Sequence, residues 1–138
     1  MLRLQRALVD GNRTNYNISG SDGGGIENRG TAIIIESTIS RNTAWANTHH
    51  LSSGAGLDNN GVAELFHVMV SGNIADAQGG GIRNGGTLTL DHSTVTGNTA
   101  RDLGGRGIFG GGVYNDQGSV SLRHTVVSGI ISDDCVGC

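Results

Sequence analysis

A glycine-rich segment recurs four times along this chain, and this repetition constrains the fold more than any other feature. The copies read GGGIENRGTAIIIESTISRNTA from Gly23, GAGLDNNGVAELFHVMVSGNIA from Gly54, GGGIRNGGTLTLDHSTVTGNTA from Gly79 and GGGVYNDQGSVSLRHTVVSGII from Gly110. Their first residues are 31, 25 and 31 positions apart, and the opening MLRLQRALVDGN matches the later half of the segment. Tandem repeats of this kind build stacked scaffolds, so they indicate architecture rather than activity.

Apolar and polar residues alternate inside each copy. In TLTLDHSTVTGN, Leu88 and Leu90 face one side while Thr89 and Asp91 face the other. A period of two among Val, Ile and Thr predicts β-strands, and 25 glycines in 138 residues oppose helices. The predicted inward positions are Leu2, Leu4, Val9, Ala32, Ile34, Ile39, Ala63, Leu65, Val70, Leu88, Leu90, Val95, Val120, Leu122 and Val127.

One repeat cannot bury its apolar face alone, so we expect the repeats to stack as coils of two or three strands each. The sequence therefore predicts an all-β parallel β-helix (solenoid) of about four to five coils in one domain. A leucine-rich repeat is excluded because its helical segment has no counterpart here. The domain is 1–138, with a partial coil 1 (1–22) followed by coil 2 (23–53), coil 3 (54–78), coil 4 (79–109) and coil 5 (110–138).

The pattern GGGIRNGGTLTLDHSTVTGNTA resembles the right-handed parallel β-helix repeats of bacterial secreted and surface proteins, including adhesin-like chains. It is similar, more distantly, to the repeats of polymorphic outer-membrane proteins. The resemblance covers 1–132 and implies a right-handed, three-faced coil and an extracellular or cell-surface location, although no signal peptide is visible in this chain. The same fold carries adhesins, lyases, hydrolases and inert stalks, so the resemblance does not decide the activity.

Asparagine recurs at two predicted corners of the coil. Its side chain tolerates left-handed backbone and can bond both the local backbone and the same residue of the next coil. We therefore expect two structural ladders. They are formed by Asn28, Asn59, Asn84 and Asn115 at one corner and by Asn12, Asn42, Asn73 and Asn98 at the other.

A third column changes from coil to coil and reads Arg6, Glu36, His67, His92 and His124. Histidines in adjacent coils would stack about 5 Å apart. This spacing suits a strip of transition-metal ligands or a pH-sensitive edge, and it makes the three histidines candidate metal ligands. The alternative is that histidine replaces asparagine at a corner and hydrogen-bonds to the backbone.

Three insertions follow the second asparagine column, at 13–22, 43–53 and 99–109, whereas coil 3 has only 74–78. They leave the same corner, so they must line one edge of the solenoid, which we call the loop edge. Such insertions often form a binding face, and aromatic, histidine and arginine side chains suit a sugar. Alternatively, the aromatic residues cover apolar surface. The predicted ligand-binding residues are Tyr16, Trp45, His49, His50, Arg101, Asp102, Arg106 and Phe109.

The two cysteines, Cys135 and Cys138, stand together at the end of the chain. A Cys-x-x-Cys pair can be half of a zinc site, a redox pair, or a disulfide. A zinc site needs two further ligands, and the chain has no second cysteine pair. The sequence favours a tail disulfide, within or between chains, or the remnant of a further coil.

Charge and acid placement limit the partners and the chemistry. A net charge of −3 argues against nucleic acid, no segment is long enough to span a membrane, and we expect no cofactor. Glycosidases need two facing carboxylates, but the surface acids Glu27 and Asp58 are stacked neighbours in one column. The sequence therefore favours a protein without enzymatic activity.

The chain starts in a strand and stops in mid-coil without polar caps, so we expect a homo-oligomer formed by end-to-end strand pairing. The alternative is a fragment of a longer protein whose neighbouring segments supply the caps. Two functions follow from these observations. The first is a structural or adhesive module, extracellular or at the cell surface, with a cell-surface receptor or glycan as its partner. The alternative is a carbohydrate-binding or polysaccharide-degrading protein that uses the loop edge.

Overall fold

The structure, a computed structural model, describes residues 1–16, 23–46, 52–101, 110–128 and 134–138. Every regular element within these ranges is a short β-strand. The strands are β1 (Leu2–Gln5), β2 (Leu8–Asp10), β3 (Arg13–Tyr16), β4 (Ile26–Asn28), β5 (Thr31–Ile35), β6 (Thr38–Ser40), β7 (Thr43–Ala46), β8 (Leu57–Asn59), β9 (Val62–Phe66), β10 (Met69–Ser71), β11 (Ile74–Ala75), β12 (Ile82–Asn84), β13 (Thr87–Asp91), β14 (Thr94–Thr96), β15 (Thr99–Ala100), β16 (Val113–Asn115), β17 (Ser119–Arg123), β18 (Val126–Ser128) and β19 (Cys135–Val136).

Each strand pairs in parallel with its equivalent in the neighbouring coil, which makes the chain a parallel β-helix. The first sheet has the order β1-β5-β9-β13-β17, and the second has β2-β6-β10-β14-β18. The third sheet has β3-β7-β11-β15, and the fourth has β4-β8-β12-β16-β19. The predicted all-β parallel solenoid is confirmed. Strand β19 pairs with β16 of the same predicted coil, so it begins a further level of the fourth sheet.

A complete coil has four strands, which differs from the two or three that the alternation predicts and from the three faces that the resemblance implies. The extra corner lies between the fourth and first sheets. In coil 2 the Asn28 side chain bridges it, because its Oδ1 accepts a hydrogen bond from the Gly30 nitrogen at 3.2 Å. Asn59 makes the same contact with Gly61 in coil 3. The three-residue strand before this corner is therefore separate from the longer strand after it.

The core runs down the centre of the solenoid and is formed by the predicted inward columns. In coils 2 to 4 these nine residues have no exposed surface. The sequence missed a further inward column in the fourth sheet, the apolar residue that follows the Gly-x-Gly segment of each repeat: Ile26, Leu57, Ile82 and Val113. At the outer coils the inward side chains are uncovered, with Leu2 37% and Leu122 39% exposed.

The two asparagine columns form continuous hydrogen-bonded ladders. In the first ladder, the Nδ2 atoms of Asn28, Asn59 and Asn84 donate to the Oδ1 atom of the next asparagine at 2.7, 2.7 and 2.8 Å. The second ladder does the same from Asn12 to Asn98, at 2.9 to 3.0 Å. The asparagine-to-asparagine bonds of both ladders run in the same direction along the stack.

A third polar column, which the sequence analysis missed, follows the histidine column. The Ser37 hydroxyl accepts a hydrogen bond from the Ala7 nitrogen at 3.0 Å, and the Ser93 hydroxyl accepts one from the Val68 nitrogen at 3.1 Å. In coil 5, Thr125 takes this place and donates to the Leu90 carbonyl at 3.2 Å. Because hydroxyl residues alternate here with Ala7 and Val68, the column does not stand out as a repeat.

Candidate functional site

The loop edge begins at the third sheet, and the structure describes only part of it. Trp45 lies in β7, the backbone of Tyr16 ends β3, and Arg101 follows β15 as an exposed residue. These three positions therefore share one side of the solenoid, as the sequence predicts. The other five predicted residues lie outside the described residues: His49, His50, Asp102, Arg106 and Phe109.

The most prominent side chain of this edge is Trp45, which is 40% exposed. The Arg13 guanidinium lies 4.3 Å from the centre of its ring, a distance typical of a cation–π contact. Arg13 pairs in register with Thr43, so it stands on the same face as Trp45 and diagonally across from it. A ligand that stacks on this indole therefore has to share the ring with Arg13 or displace it.

A charged network occupies the outer side of the fourth sheet. The Arg83 guanidinium donates to Asp58 Oδ1 at 3.0 Å and to Asp116 Oδ2 at 2.6 Å, and it also donates to Asn60 Oδ1 at 3.0 Å. The prediction that Asp58 is a surface acid is wrong, because its side chain is completely buried, while Glu27 is exposed. The two do occupy one column, since they pair in register.

The Arg83 network is a structural ion pair rather than a pair of catalytic acids. The Arg83 side chain is only 19% exposed. Burial alone would lower its pKa, but the hydrogen bonds and charges of Asp58 and Asp116 outweigh burial and raise the pKa. Glu27, one coil before Asp58 in the same column, forms an ion pair with Arg29 at 2.5 Å. These carboxylates are therefore held by arginines of their own column and corner.

A second ion pair lies between coils 1 and 2, at the corner after the second sheet. Arg41 has a left-handed backbone with φ of 52°, where Gly11, Gly72 and Gly97 occupy the equivalent position in other coils. Its guanidinium donates two hydrogen bonds to the Asp10 carboxylate. Nε donates to Oδ1 at 2.8 Å, and Nη2 donates to Oδ2. The hydrogen bonds from Arg41 and from the Ser40 hydroxyl lower the pKa of Asp10 from 3.8 to about 2.

This ion pair predicts a specific acid sensitivity. A carboxylate whose pKa is depressed in the folded state contributes stability above its unfolded pKa and loses it as the pH falls through the folded value. We expect the difference in melting temperature between the native chain and Asp10→Asn to be largest above pH 4 and to shrink as the pH falls from about 4 to about 2. Calorimetry at a series of pH values measures this difference. A difference that does not change with pH would contradict the assignment.

The histidine column lies at the corner between the first and second sheets. Arg6, Glu36 and the three histidines all have a left-handed backbone there, with φ between 46° and 54°. Histidine is enriched in this conformation, as asparagine is, so the backbone explains why the residue type is accepted. The rings of His92 and His124 stack with centroids 4.5 Å apart, and those of His67 and His92 are 5.2 Å apart and tilted.

Asp91, the residue before His92, contacts two histidines of this column, and the sequence did not predict these contacts. Its Oδ1 atom lies 2.8 Å from His92 Nδ1 and 3.5 Å from His124 Nδ1. Partial burial raises the pKa of Asp91, but the contacts with His124 and His92 outweigh it and lower the pKa. The signal was present in the sequence, since Asp91 precedes His92 directly. The alternation shows that the Asp91 side chain points outward, but it does not show that this side chain reaches His124 in the next coil.

Cys135 and Cys138 form a disulfide with each other, with their Cα atoms 6.0 Å apart. This is the intrachain version of the tail disulfide considered from the sequence. Since both sulfur atoms are engaged in this bond, they do not serve as thiolate ligands for a metal in this state.

Comparisons with protein-family models, with curated proteins and with solved structures find no match to this chain. Among the residues that the structure describes, no helix is long and apolar enough to cross a membrane.

Proposed function

We propose that the protein is a non-enzymatic structural module, extracellular or at the cell surface, which associates end to end with further copies of itself. The observation that carries this proposal is the exposure of the core at the two outer coils. Leu122 is 39% exposed, whereas Ile34, Leu65 and Leu90 in the same column have no exposed surface. A second copy stacked on this end would cover it in the same way that one coil covers the next.

The two end faces match each other column by column. Coil 5 presents Val120, Leu122 and Val127, and coil 1 presents the equivalent residues Leu2, Leu4 and Val9. The outer strands β1 and β17 of the first sheet each pair on one side within the described structure, and strand pairing with a second copy would extend the sheet on the other side. A copy added head to tail would therefore continue both the sheets and the apolar columns.

Parallel strand pairing favours head-to-tail stacking. The described strand pairs are parallel, and pairing of β17 with β1 of a second copy stays parallel only if both copies have the same orientation. A head-to-tail contact is heterologous, and unless it closes into a ring it produces an open filament. The Cys135–Cys138 disulfide supports the proposed extracellular location, because structural disulfides persist mainly in oxidising compartments.

The proposal predicts that association requires both ends. We expect the average mass of the native chain, measured by size-exclusion chromatography with light scattering, to rise with concentration. Leu122→Lys and Leu2→Lys each place a charge on one end face and should each give a monomer. Ser121→Lys is the matched control, because Ser121 lies on the same strand but pairs with Thr89 in an outward column, and it should associate like the native chain.

Mixing the two end variants distinguishes the orientation of the contact. Leu2→Lys keeps a native coil 5 face and Leu122→Lys keeps a native coil 1 face, so head-to-tail stacking predicts that an equimolar mixture forms a dimer and nothing larger. Dimers of either variant alone would mean that like faces pair. A native chain that stays monomeric at every concentration would overturn the proposal.

Carbohydrate binding at the loop edge stays a prediction from the sequence. Five of its eight residues lie outside the described residues, and Arg13 already contacts the ring of Trp45. We therefore do not add it as a second function.

A further inference from the structure

We propose that Asp91, His92 and His124 form a binding site for one divalent transition-metal ion of the class that prefers imidazole, such as Zn²⁺, on the outer corner between coils 4 and 5. The ligand atoms of these three side chains all lie within 4.8 Å of one another. This proposal does not require the proposed association, because all three ligands belong to one chain.

The distances are close to those that a metal ion requires. Zinc bonds to histidine nitrogen and carboxylate oxygen are about 2.0–2.2 Å long, so two ligand atoms on one tetrahedral ion stand about 3.3 Å apart. The Asp91 oxygen is 2.8 Å from His92 Nδ1 and 3.5 Å from His124 Nδ1. Both distances are within about 0.5 Å of that separation.

The backbone holds the two histidines in equivalent positions. Both have a left-handed conformation, with φ of 48° for His92 and 46° for His124. The backbone nitrogen of His92 donates a hydrogen bond to the backbone carbonyl of Arg123 at 3.0 Å. This bond fixes the spacing between the two coils at this corner. Such a rigid pair loses little conformational freedom on binding, and the exposure of both rings leaves room for water molecules to complete the coordination.

The ligand set indicates the type of metal. Two imidazoles and one carboxylate favour zinc, copper or nickel over calcium and magnesium, which take oxygen ligands. Arg123 pairs in register with Asp91 and adds a positive charge beside the site, so we expect moderate affinity.

Isothermal titration of the native chain with Zn²⁺ at neutral pH, without reductant, tests the site. We expect one ion per chain, and we expect Asp91→Asn and His124→Asn each to weaken binding by about tenfold or more. Asparagine is chosen at position 124 because it accepts the left-handed backbone. His67→Asn is the matched control, since His67 occupies the same corner one coil away, outside the group of three, and this variant should bind zinc like the native chain.

Two further variants exclude other ligands. Replacement of His49 and His50 together by Asn, and of Cys135 and Cys138 together by Ser, should leave the affinity unchanged, and Ca²⁺ should not compete. The proposal is overturned if the native chain binds no zinc at millimolar concentration, if Asp91→Asn binds as tightly as the native chain, or if His67→Asn loses as much affinity as His124→Asn.

Discussion

Gly86→Ala is expected to lower the free energy of unfolding by about 3 kcal/mol, near the upper end of the cost of overpacking a core. A Cβ atom at position 86 would overlap the carbonyl oxygen of Gly61 in coil 3 and would lie 2.9 Å from its nitrogen and carbonyl carbon. Backbone atoms cannot rotate away, so the two coils would have to separate at this corner. Chemical denaturation monitored by circular dichroism measures the loss.

Gly30→Ala is the matched control for this substitution. Gly30 holds the equivalent position in coil 2, but a Cβ atom there would meet nothing within 4 Å. The change should therefore shift stability by no more than about 0.5 kcal/mol, as expected of a surface substitution away from special features. Equal destabilisation by Gly30→Ala and Gly86→Ala would show that the glycines are required for reasons other than the close approach of adjacent coils.

The second large effect is expected at the centre of an asparagine ladder. Asn73 is fully buried, and its Oδ1 atom accepts from both the backbone nitrogen and Nδ2 of Asn42, at 2.9 and 3.0 Å. Its Nδ2 atom donates to the Ile39 carbonyl at 3.1 Å and to Asn98 Oδ1 at 2.9 Å. Asn73→Ala removes these partners from groups in coils 2 and 4, and each buried group left unpaired costs about 1–3 kcal/mol. We expect a total loss of about 4 kcal/mol.

Asn12→Ala provides the comparison within the same ladder. Asn12 is exposed in coil 1 and donates to Asn42 Oδ1 from its backbone nitrogen and its side chain. Replacement removes only the side-chain bond, in contact with solvent, and should cost less than about 1 kcal/mol. If Asn73→Ala and Asn12→Ala shift the denaturation midpoint equally, the buried ladder does not stabilise the fold in the way described.

The sequence predicts the stacked coils and the ladders well because both depend on positions that repeat. Leu88 and Leu90 alternate with polar residues, and alternation is sufficient to assign an inward face. The fourth sheet was missed because its strands end at the first asparagine column, which the sequence indicates as a corner: the strand Ile26–Asn28 ends at Asn28 itself. The repeat therefore predicts which residues stack in columns. The number of strands in a coil depends on where the backbone turns, which the structure shows and the repeat does not.

The candidate site is less predictable because it depends on contacts between coils. Arg13 reaches Trp45 diagonally, and Asp91 reaches His124 across a coil boundary, so neither contact follows from spacing along the chain. Asp58 belongs to an outward column yet is completely buried, which alternation cannot indicate. The left-handed backbone of the histidine column likewise follows from the corner geometry rather than from the residue types.

Electron microscopy of the native chain over a range of concentrations tests the proposed end-to-end association most directly. Five coils spaced by about 4.8 Å make a unit roughly 24 Å tall. The proposal predicts rods of constant width whose lengths increase with concentration, and it predicts that Leu122→Lys abolishes them while Ser121→Lys does not. Single short particles of the native chain at every concentration would contradict it.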